Sequence, residues 1–304
     1  MSRVAQLAPV FLLGLAFVRG QSDDEREFKM TIRADLVLLD VSVKDSKGGF
    51  VSNLKKENFQ VYENGKRQTV SQFGKEDTPI TAGLVLDDSG SMKSKRGEVI
   101  NSALGFIDAS NPRDEMFVIH FNDRVRHGLP SGTPFSDDLE LLRNALWNNP
   151  AEGRTALYDG ILDAMHQLES GRQDKKSLVV ISDGGDNASR HTFKDVVNAV
   201  QSTRATIYTV GVFDSDDPDR NPRLLHRLAD ISGGLCYIPQ RLDELEEICR
   251  GIAKDIRNRY SIGYVPVRVD DKSALRTIKV SITDAGSQKY IVHARTSYLL
   301  PASQ

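Results

Sequence analysis

The fold is decided by the stretch Leu84-Val85-Leu86-Asp87-Asp88-Ser89-Gly90-Ser91-Met92, where an apolar run meets acidic and hydroxyl residues. A short apolar run of this kind predicts a fully buried strand. The small polar residues that follow predict a loop at the carboxyl end of that strand, and Gly90 gives the loop backbone freedom. In open parallel sheets, loops of this type form ligand sites. The strand end at Asp87 is therefore the first candidate for a functional site.

Residues 77–256 alternate apolar strands with amphipathic helices. Apolar runs lie at residues 82–86, 116–121, 178–181, 205–212 and 235–238. Apolar residues recur at the i, i+3, i+4, i+7 spacing of a helix with one buried face at residues 100–107, 161–168, 193–200 and 245–256. Short strands separated by such helices predict a sheet covered on both faces. The predicted fold class is α/β, a doubly wound and mostly parallel sheet.

The flanking segments, residues 28–76 and 257–300, are typical of antiparallel strands. Val37, Leu39, Val41 and Val43 alternate with other side chains, and the dipeptide at residues 64–65, Asn-Gly, is a strong hairpin signal. Neither segment has enough strands for an independent core. We therefore expect the two to pair into one small β-sandwich, with the α/β domain inserted between them. Two separate β appendages are the alternative.

Composition places the chain among globular proteins, since 39% of its 304 residues are hydrophobic and 27% are charged. The 40 basic and 42 acidic side chains leave a formal charge of -2, so no basic excess is available for nucleic-acid phosphates. Two cysteines, Cys236 and Cys249, cannot build a disulfide scaffold, and whether they bridge each other stays open. Trp147 is expected to be a packed aromatic, with a surface contact as the alternative.

Residues 1–20 predict a signal peptide. Arg3 precedes an apolar stretch from Leu7 to Val18, and a polar segment begins at Gln21. The apolar stretch is shorter than the roughly 20 residues that a membrane-spanning helix needs. We expect an exported chain, periplasmic or secreted, without a stable membrane span after cleavage. An uncleaved membrane anchor is the alternative.

Two further segments carry oxygen-bearing side chains beside predicted strand or helix ends, Gly153-Arg154-Thr155-Ala156-Leu157-Tyr158-Asp159-Gly160 and Val179-Val180-Ile181-Ser182-Asp183-Gly184-Gly185-Asp186-Asn187. Because loops at the carboxyl ends of parallel strands converge, two carboxylates, Asp87 and Asp183, should meet three hydroxyls, Ser89, Ser91 and Thr155. An all-oxygen set without Cys or His favours Mg²⁺. With only two protein carboxylates among the ligands, an open coordination position of the ion can attract an outside carboxylate.

These three segments resemble the metal-ion-dependent adhesion site (MIDAS) of von Willebrand factor A domains, over roughly residues 78–256. The predicted signal peptide and the flanking strands resemble those of the bacterial VWFA-related family of secreted proteins. The resemblance implies a binding module without catalytic activity, in which Asp87, Ser89, Ser91, Thr155 and Asp183 hold Mg²⁺, with Mn²⁺ or Ca²⁺ as other candidates. It also implies that an Asp or Glu of a protein partner completes the shell at an open position near Asp88, Gly90 and Asp186. We expect Asp88 and Asp186 to be solvated or to support the ligands, and Asp159 to have a structural role.

Two other functions are kept as alternatives. An Asp after an apolar strand also resembles haloacid-dehalogenase-like phosphotransferases, in which Asp87 would be the nucleophile, assisted by Mg²⁺. That mechanism needs an acid/base Asp two residues later, where this chain has Ser89. A structural scaffold without metal is the second alternative.

Overall fold

The computed structural model describes residues 36–75, 77–147, 150–213, 220–266, 274–283 and 289–300. All the described residues belong to one compact unit. The predicted signal peptide lies outside the described residues. Among the helices that are described, none combines the length and the apolar character needed to cross a membrane.

The described part of the chain forms fourteen strands and six α-helices. The strands are β1 (Val37–Asp45), β2 (Phe59–Glu63), β3 (Lys66–Gln68), β4 (Val70–Gly74), β5 (Ile80–Asp87), β6 (Glu115–Phe121), β7 (Val125–His127), β8 (Lys175–Ser182), β9 (Thr206–Gly211), β10 (Cys236–Tyr237), β11 (Tyr260–Tyr264), β12 (Leu275–Ile282), β13 (Tyr290–His293) and β14 (Ser297–Leu299). The helices are α1 (Arg96–Ala109), α2 (Leu139–Trp147), α3 (Leu157–Glu169), α4 (Phe193–Ser202), α5 (Pro222–Ser232) and α6 (Leu245–Arg257).

The central sheet has six strands in the order β10-β9-β8-β5-β6-β7. All neighbours run parallel except β7, which pairs antiparallel with β6. Every residue of β5, β6 and β9 is buried, as expected for strands covered by helices on both faces. The predicted fold class, a doubly wound and mostly parallel sheet, is confirmed.

Local sequence signals set several helix ends. The side chain of Asn221 accepts a hydrogen bond from the backbone N–H of Leu224 at the start of α5, and Pro222 occupies the first helical position. α5 ends at Gly233, whose φ of +83° is the left-handed conformation that glycine adopts without strain. Thr192 and Asp195 form a reciprocal capping box at the start of α4.

The flanking segments form two four-stranded sheets, in the orders β13-β1-β11-β4 and β14-β12-β2-β3. Strands from before and after the α/β region pair directly, since β1 lies between β11 and β13, and β2 pairs with β12. The two sheets enclose one apolar core that includes Leu39, Val41, Phe59, Val61 and Tyr260. The predicted sandwich around the inserted α/β region is therefore confirmed as architecture, while the exact domain limits stay a prediction.

Two expectations for single side chains have different outcomes. Trp147 is 57% exposed, so the expectation of a packed aromatic is wrong. The buried face of α2 consists of Leu142, Ala145 and Leu146, and Trp147 falls one position beyond it. Cys236 and Cys249 are free thiols, which answers the open question about a bridge.

Candidate metal centre

The predicted site lies where the order of strands in the sheet reverses. The chain passes from β5 to β6 on one side, whereas β8 joins the other side of β5. Asp87 is the last residue of β5, and Asp183 directly follows β8. Because these strands are parallel neighbours, both carboxylates lie at the same edge of the sheet. Open α/β sheets bind ligands at this kind of edge.

The loop after β5 folds back on Asp87. The backbone N–H of Ser89 donates to Asp87 Oδ1 at 2.9 Å, and a single 3₁₀ turn follows at Gly90–Met92. The Oγ atoms of Ser89 and Ser91 lie 3.1 Å apart. The one-residue spacing of Asp87, Ser89 and Ser91 therefore brings their oxygen atoms together, as the sequence predicted.

Asp183 joins this group from the next strand. Its Oδ2 accepts a hydrogen bond from Ser91 Oγ at 2.6 Å, and its Oδ1 accepts one from the backbone N–H of Gly185 at 3.0 Å. The hydroxyl of Ser182 donates to Asp87 Oδ2 at 2.6 Å. Ser91 thus contacts both Ser89 and Asp183, and Asp87 accepts hydrogen bonds from both loops.

Thr155 reaches the same edge through backbone contacts. Gly90 N–H donates to the carbonyl oxygen of Gly153 at 3.0 Å, which attaches the loop before α3 to the loop after β5. Asn187 holds Thr155 from the other side, because its Oδ1 accepts from Thr155 N–H at 2.9 Å and its own N–H donates to the Thr155 carbonyl oxygen at 2.9 Å. The three predicted loops therefore meet.

The two carboxylates are placed where negative charge is costly. Asp87 and Asp183 are each only 2% exposed. Loss of solvent and then the nearby charge of Asp183 raise the pKa of Asp87 to about 7, against the lowering effect of hydrogen bonds from Ser182 and Ser89. Hydroxyl groups can donate hydrogen bonds to these oxygens but cannot neutralise them. The site is consequently a favourable position for a cation.

The donor chemistry fits a hard divalent ion. Two carboxylates and three hydroxyls are all-oxygen ligands, the type that Mg²⁺ takes together with water molecules. Within the described residues no group of three or more His, Cys, Asp and Glu side chains is arranged to hold a metal. Gly90 is exposed and Ser91 is partly exposed, so the group of oxygens has a side that faces solvent.

Asp88 points away from this group and is 4% exposed, so of the two roles expected for it, solvated or supporting, the supporting one agrees with the structure. His120 Nδ1 lies 2.8 Å from Asp88 Oδ2, and His120 Nε2 lies 2.8 Å from the carbonyl oxygen of Ala145. Both ring nitrogens of His120 therefore have a hydrogen-bonding partner. Arg96 Nε is 3.4 Å from Asp88 Oδ1. Asp88 is thus held by the imidazole of His120 and the guanidinium of Arg96, and it supports the loop from beneath.

Asp186 and Asp159 hold the loop after β8 against the start of α3. Asp186 Oδ2 accepts hydrogen bonds from the backbone N–H of Tyr158 at 3.0 Å and from the hydroxyl of Ser189. Asp159 accepts from the backbone N–H of Arg190 and from the side chain of His191. These contacts agree with the structural role expected for Asp159. Carboxylates are also favourable at a helix N-terminus.

Sequence reasoning did not identify three side chains that shape the site: His120, Ser182 and Asn187. Ser182 belongs to the third segment, and its position directly before Asp183 was the signal that could have placed it among the same oxygens. The sequence does not show which β6 side chain faces a charged neighbour, so His120 offered no signal. Asn187 ends the third segment, and its adjacency to Asp186 was the only indication.

Comparison with known proteins gives a family and a fold. The family model of the von Willebrand factor type A domain matches residues 83–250, more than half of the chain. An uncharacterized protein of the cyanobacterium Synechocystis sp. is 28% identical over 171 residues, which cover 53% of this chain and 38% of that protein. The match therefore spans well under half of the length of that relative.

Two solved structures share the fold. The von Willebrand factor type A protein from Catenulispora acidiphila matches 87% of this chain and 74% of its own, with 14% identity and a TM-score of 0.53. Proximal thread matrix protein 1 from the mussel byssus, solved with a zinc-occupied MIDAS motif, matches 65% of this chain and 50% of its own, with 16% identity and a TM-score of 0.52. At these identities the similarity concerns the fold alone.

Proposed function

This chain belongs to the von Willebrand factor type A domain family, and we propose that it is an exported, metal-dependent protein-binding module. In this proposal Asp87, Ser89, Ser91, Thr155 and Asp183 hold Mg²⁺, and the ion captures an Asp or Glu side chain of a partner protein. Export is inferred from residues 1–20, whose sequence is typical of a signal peptide.

One observation carries the proposal, namely two buried carboxylates at the ends of adjacent strands, with the hydroxyls of Ser89 and Ser91 grouped beside them. Burial and mutual repulsion raise the pKa of Asp87 to about 7, and a divalent cation would remove both penalties. A bound cation would supply Lewis acidity toward an anionic oxygen of the partner. The protein residues have the separate task of orienting the oxygens and keeping one side open beside Gly90.

The choice of Mg²⁺ rests on ligand type. Neutral hydroxyls and few carboxylates suit an ion that retains several water molecules, and Mn²⁺ or Ca²⁺ would accept the same oxygens. The mussel protein was solved with zinc in its motif, so zinc is included in the test below.

We propose that the module is not an enzyme. The alternative phosphotransferase needs an acid/base group two residues after Asp87, and Ser89 at that position is a neutral hydroxyl, 1% exposed, beside Ser91. Steady turnover of a phosphate ester that disappears in Asp87→Asn would favour the phosphotransferase over the binding module.

The proposal is tested by calorimetric titration of Mg²⁺, Mn²⁺, Ca²⁺ and Zn²⁺ into the full chain. We expect saturable binding of one ion, and we expect Asp87→Ala and Asp183→Ala to abolish it while circular dichroism shows an intact fold. Asp137→Ala, which removes an exposed carboxylate, is the matched control and should bind like the wild type. Unchanged Mg²⁺ affinity in either site variant would contradict the proposal, and metal binding that is absent from the wild type would favour the structural scaffold.

A further inference from the structure

A second polar cleft opens directly beside the metal loops. It has a volume of about 610 Å³, and its lining includes Arg124, Arg126 and Arg154 together with Asp123 and Glu152. The cleft adjoins the candidate metal centre because Arg154 directly precedes Thr155 in the chain. Both features are therefore accessible to the same partner segment.

The two sides of this cleft are clamped together. One side is the turn between β6 and β7, and the other is the loop at residues 152–154. Asp123 Oδ2 accepts from the backbone N–H of Arg154 at 3.1 Å, and Asp123 Oδ1 accepts from Arg154 Nε at 2.8 Å. Gly153 has a φ of +81°, and a Cβ there would lie 2.0 Å from Asp123 Oδ2. Only glycine allows this close approach.

The charges in the cleft leave one cation in excess. Three guanidinium groups face two carboxylates. Hydrogen bonds from Arg154 lower the pKa of Asp123 and so keep that carboxylate ionised. The Arg154 side chain is itself engaged in this pair. The neighbouring guanidinium of Arg124 is exposed. Among the described residues it forms no side-chain hydrogen bond or ion pair.

The backbone at Arg124 is held by two hydrogen bonds, whereas its side chain has no protein partner within the part of the chain that the structure describes. Its N–H donates to Asn122 Oδ1 at 3.2 Å, and its carbonyl oxygen accepts from Asn122 N–H at 3.1 Å. These two hydrogen bonds fix the backbone of the turn from which the Arg124 side chain extends. A planar guanidinium pairs with a carboxylate through two parallel hydrogen bonds, which gives both charge and shape recognition.

We infer that this cleft binds a second carboxylate of the partner, so that the partner is an acidic peptide segment with one carboxylate at the metal loops and another at Arg124. The inference rests on the proposed function, because the first carboxylate is the one assigned to the metal. A single excess positive charge matches a singly charged carboxylate. An apolar partner residue would strip water from Arg124 without pairing it.

The experiment compares synthetic glycine-serine peptides that contain one glutamate with peptides that contain two glutamates one, two or three residues apart. Each peptide is titrated into the ¹⁵N-labelled full chain in Mg²⁺ and followed by NMR. We expect the second glutamate to raise the affinity about tenfold at one or more spacings, the effect of one charge-assisted hydrogen-bonded pair. In Arg124→Gln this gain should disappear. Arg67→Gln, the same charge change at an exposed position on β3, should retain it.

The outcomes separate this inference from the proposed function. Mg²⁺-dependent binding of the one-glutamate peptide, with no gain from a second glutamate or with a gain that survives Arg124→Gln, overturns the inference alone. Absence of all peptide binding in Mg²⁺, or binding that persists in chelator, overturns the proposed function together with the inference.

Discussion

Asp87 combines burial with a neighbouring carboxylate, and this combination controls its ionisation. Loss of solvent is the larger cause and the charge of Asp183 the second, and together they raise the pKa of Asp87 to about 7. The unfolded chain gives the same group its ordinary pKa of 3.8. The folded and unfolded states therefore bind different numbers of protons between these two values.

For the metal-free protein we predict that the free energy of unfolding falls as the pH rises from about 4 to about 7. The folded carboxyl keeps its proton to a higher pH, so stability is greatest below the unfolded pKa and is lost as the folded pKa is passed. The contribution amounts to about 4 kcal/mol for a rise from 3.8 to about 7. Urea unfolding in chelator across this range measures it.

Asp87→Asn is the control for this pH dependence, because it removes the titrating group while keeping its shape. In this variant the free energy of unfolding should no longer fall between about pH 4 and about pH 7 by the amount assigned to Asp87. An equal slope in wild type and variant would assign the pH dependence to another group.

Gly153 shows how one missing side chain shapes the site. We predict that Gly153→Ala destabilises the protein more than Gly132→Ala and also weakens metal binding. Both glycines have positive φ, +81° and +84°, so both variants incur a left-handed strain of about 1–2 kcal/mol. Only at Gly153 would the new Cβ meet Asp123, whereas nothing lies within 4 Å at Gly132. Thermal unfolding and Mg²⁺ titration provide the measurements, and equal losses in the two variants would contradict the prediction.

The elements around the site were largely predictable from periodicity. β5, β8 and the helices α1, α3, α4 and α6 agree with apolar runs and stripes that are long enough to show a period. β7 and β14 have three residues each and were missed, because so short a segment shows no clear alternation. Their positions depend on pairing with β6 and β12.

The loop between β8 and α4 contains one proposed ligand, Asp183, and it also positions Thr155 through Asn187. We predict that Asn187→Ala lowers Mg²⁺ affinity about tenfold, because the Thr155 N–H loses a hydrogen bond of 2.9 Å. Asn58→Ala is the matched control, since Asn58 Oδ1 accepts from Lys55 N–H at 2.8 Å in the sandwich. Isothermal titration would measure both affinities. Equal Mg²⁺ affinity in the two variants would show that Asn187 does not position the site.

A buried ion pair joins the α/β region to the sandwich. Asp255 near the end of α6 pairs with Arg259 at 3.0 Å, and it accepts hydrogen bonds of 2.6 Å from Ser42 on β1 and from Tyr208 on β9. Burial alone would raise the pKa of Asp255, but Arg259 and the two hydroxyls lower it. The carboxylate is therefore ionised and binds three parts of the fold together.

We predict that Asp255→Ala lowers the free energy of unfolding by about 3–5 kcal/mol, because Arg259 is then left as a buried, uncompensated charge. Asp243→Ala breaks the exposed pair with Arg241 and should leave stability unchanged within error. Denaturant unfolding of both variants measures the difference. A similar small effect in both would mean that the buried pair contributes no more than a surface pair.

The limits of the inserted domain at residues 77–256 are a prediction that hydrogen exchange can test. We expect Val41→Ala, which makes a cavity in the sandwich core, to increase amide exchange in β1 and β2 and equally in β11 and β12. The amides of β5 and β8 should keep their protection. Faster exchange confined to the N-terminal strands would contradict a shared sandwich.

The sequence by itself determined the alternation of strands and helices, the strand character of the flanking segments and the three loops that carry the proposed ligands. These features follow from hydrophobic period and from the placement of small polar residues at strand ends, both of which are local. Tertiary structure alone decided that the flanking segments pair and that His120 contacts Asp88. It also decided that Arg124 faces a cleft, that Asp255 joins the two parts of the fold and that Trp147 is exposed. Those outcomes depend on which distant side chains meet and how much water they lose. Charge compensation and desolvation are properties of the assembled neighbourhood, so no single segment encodes them.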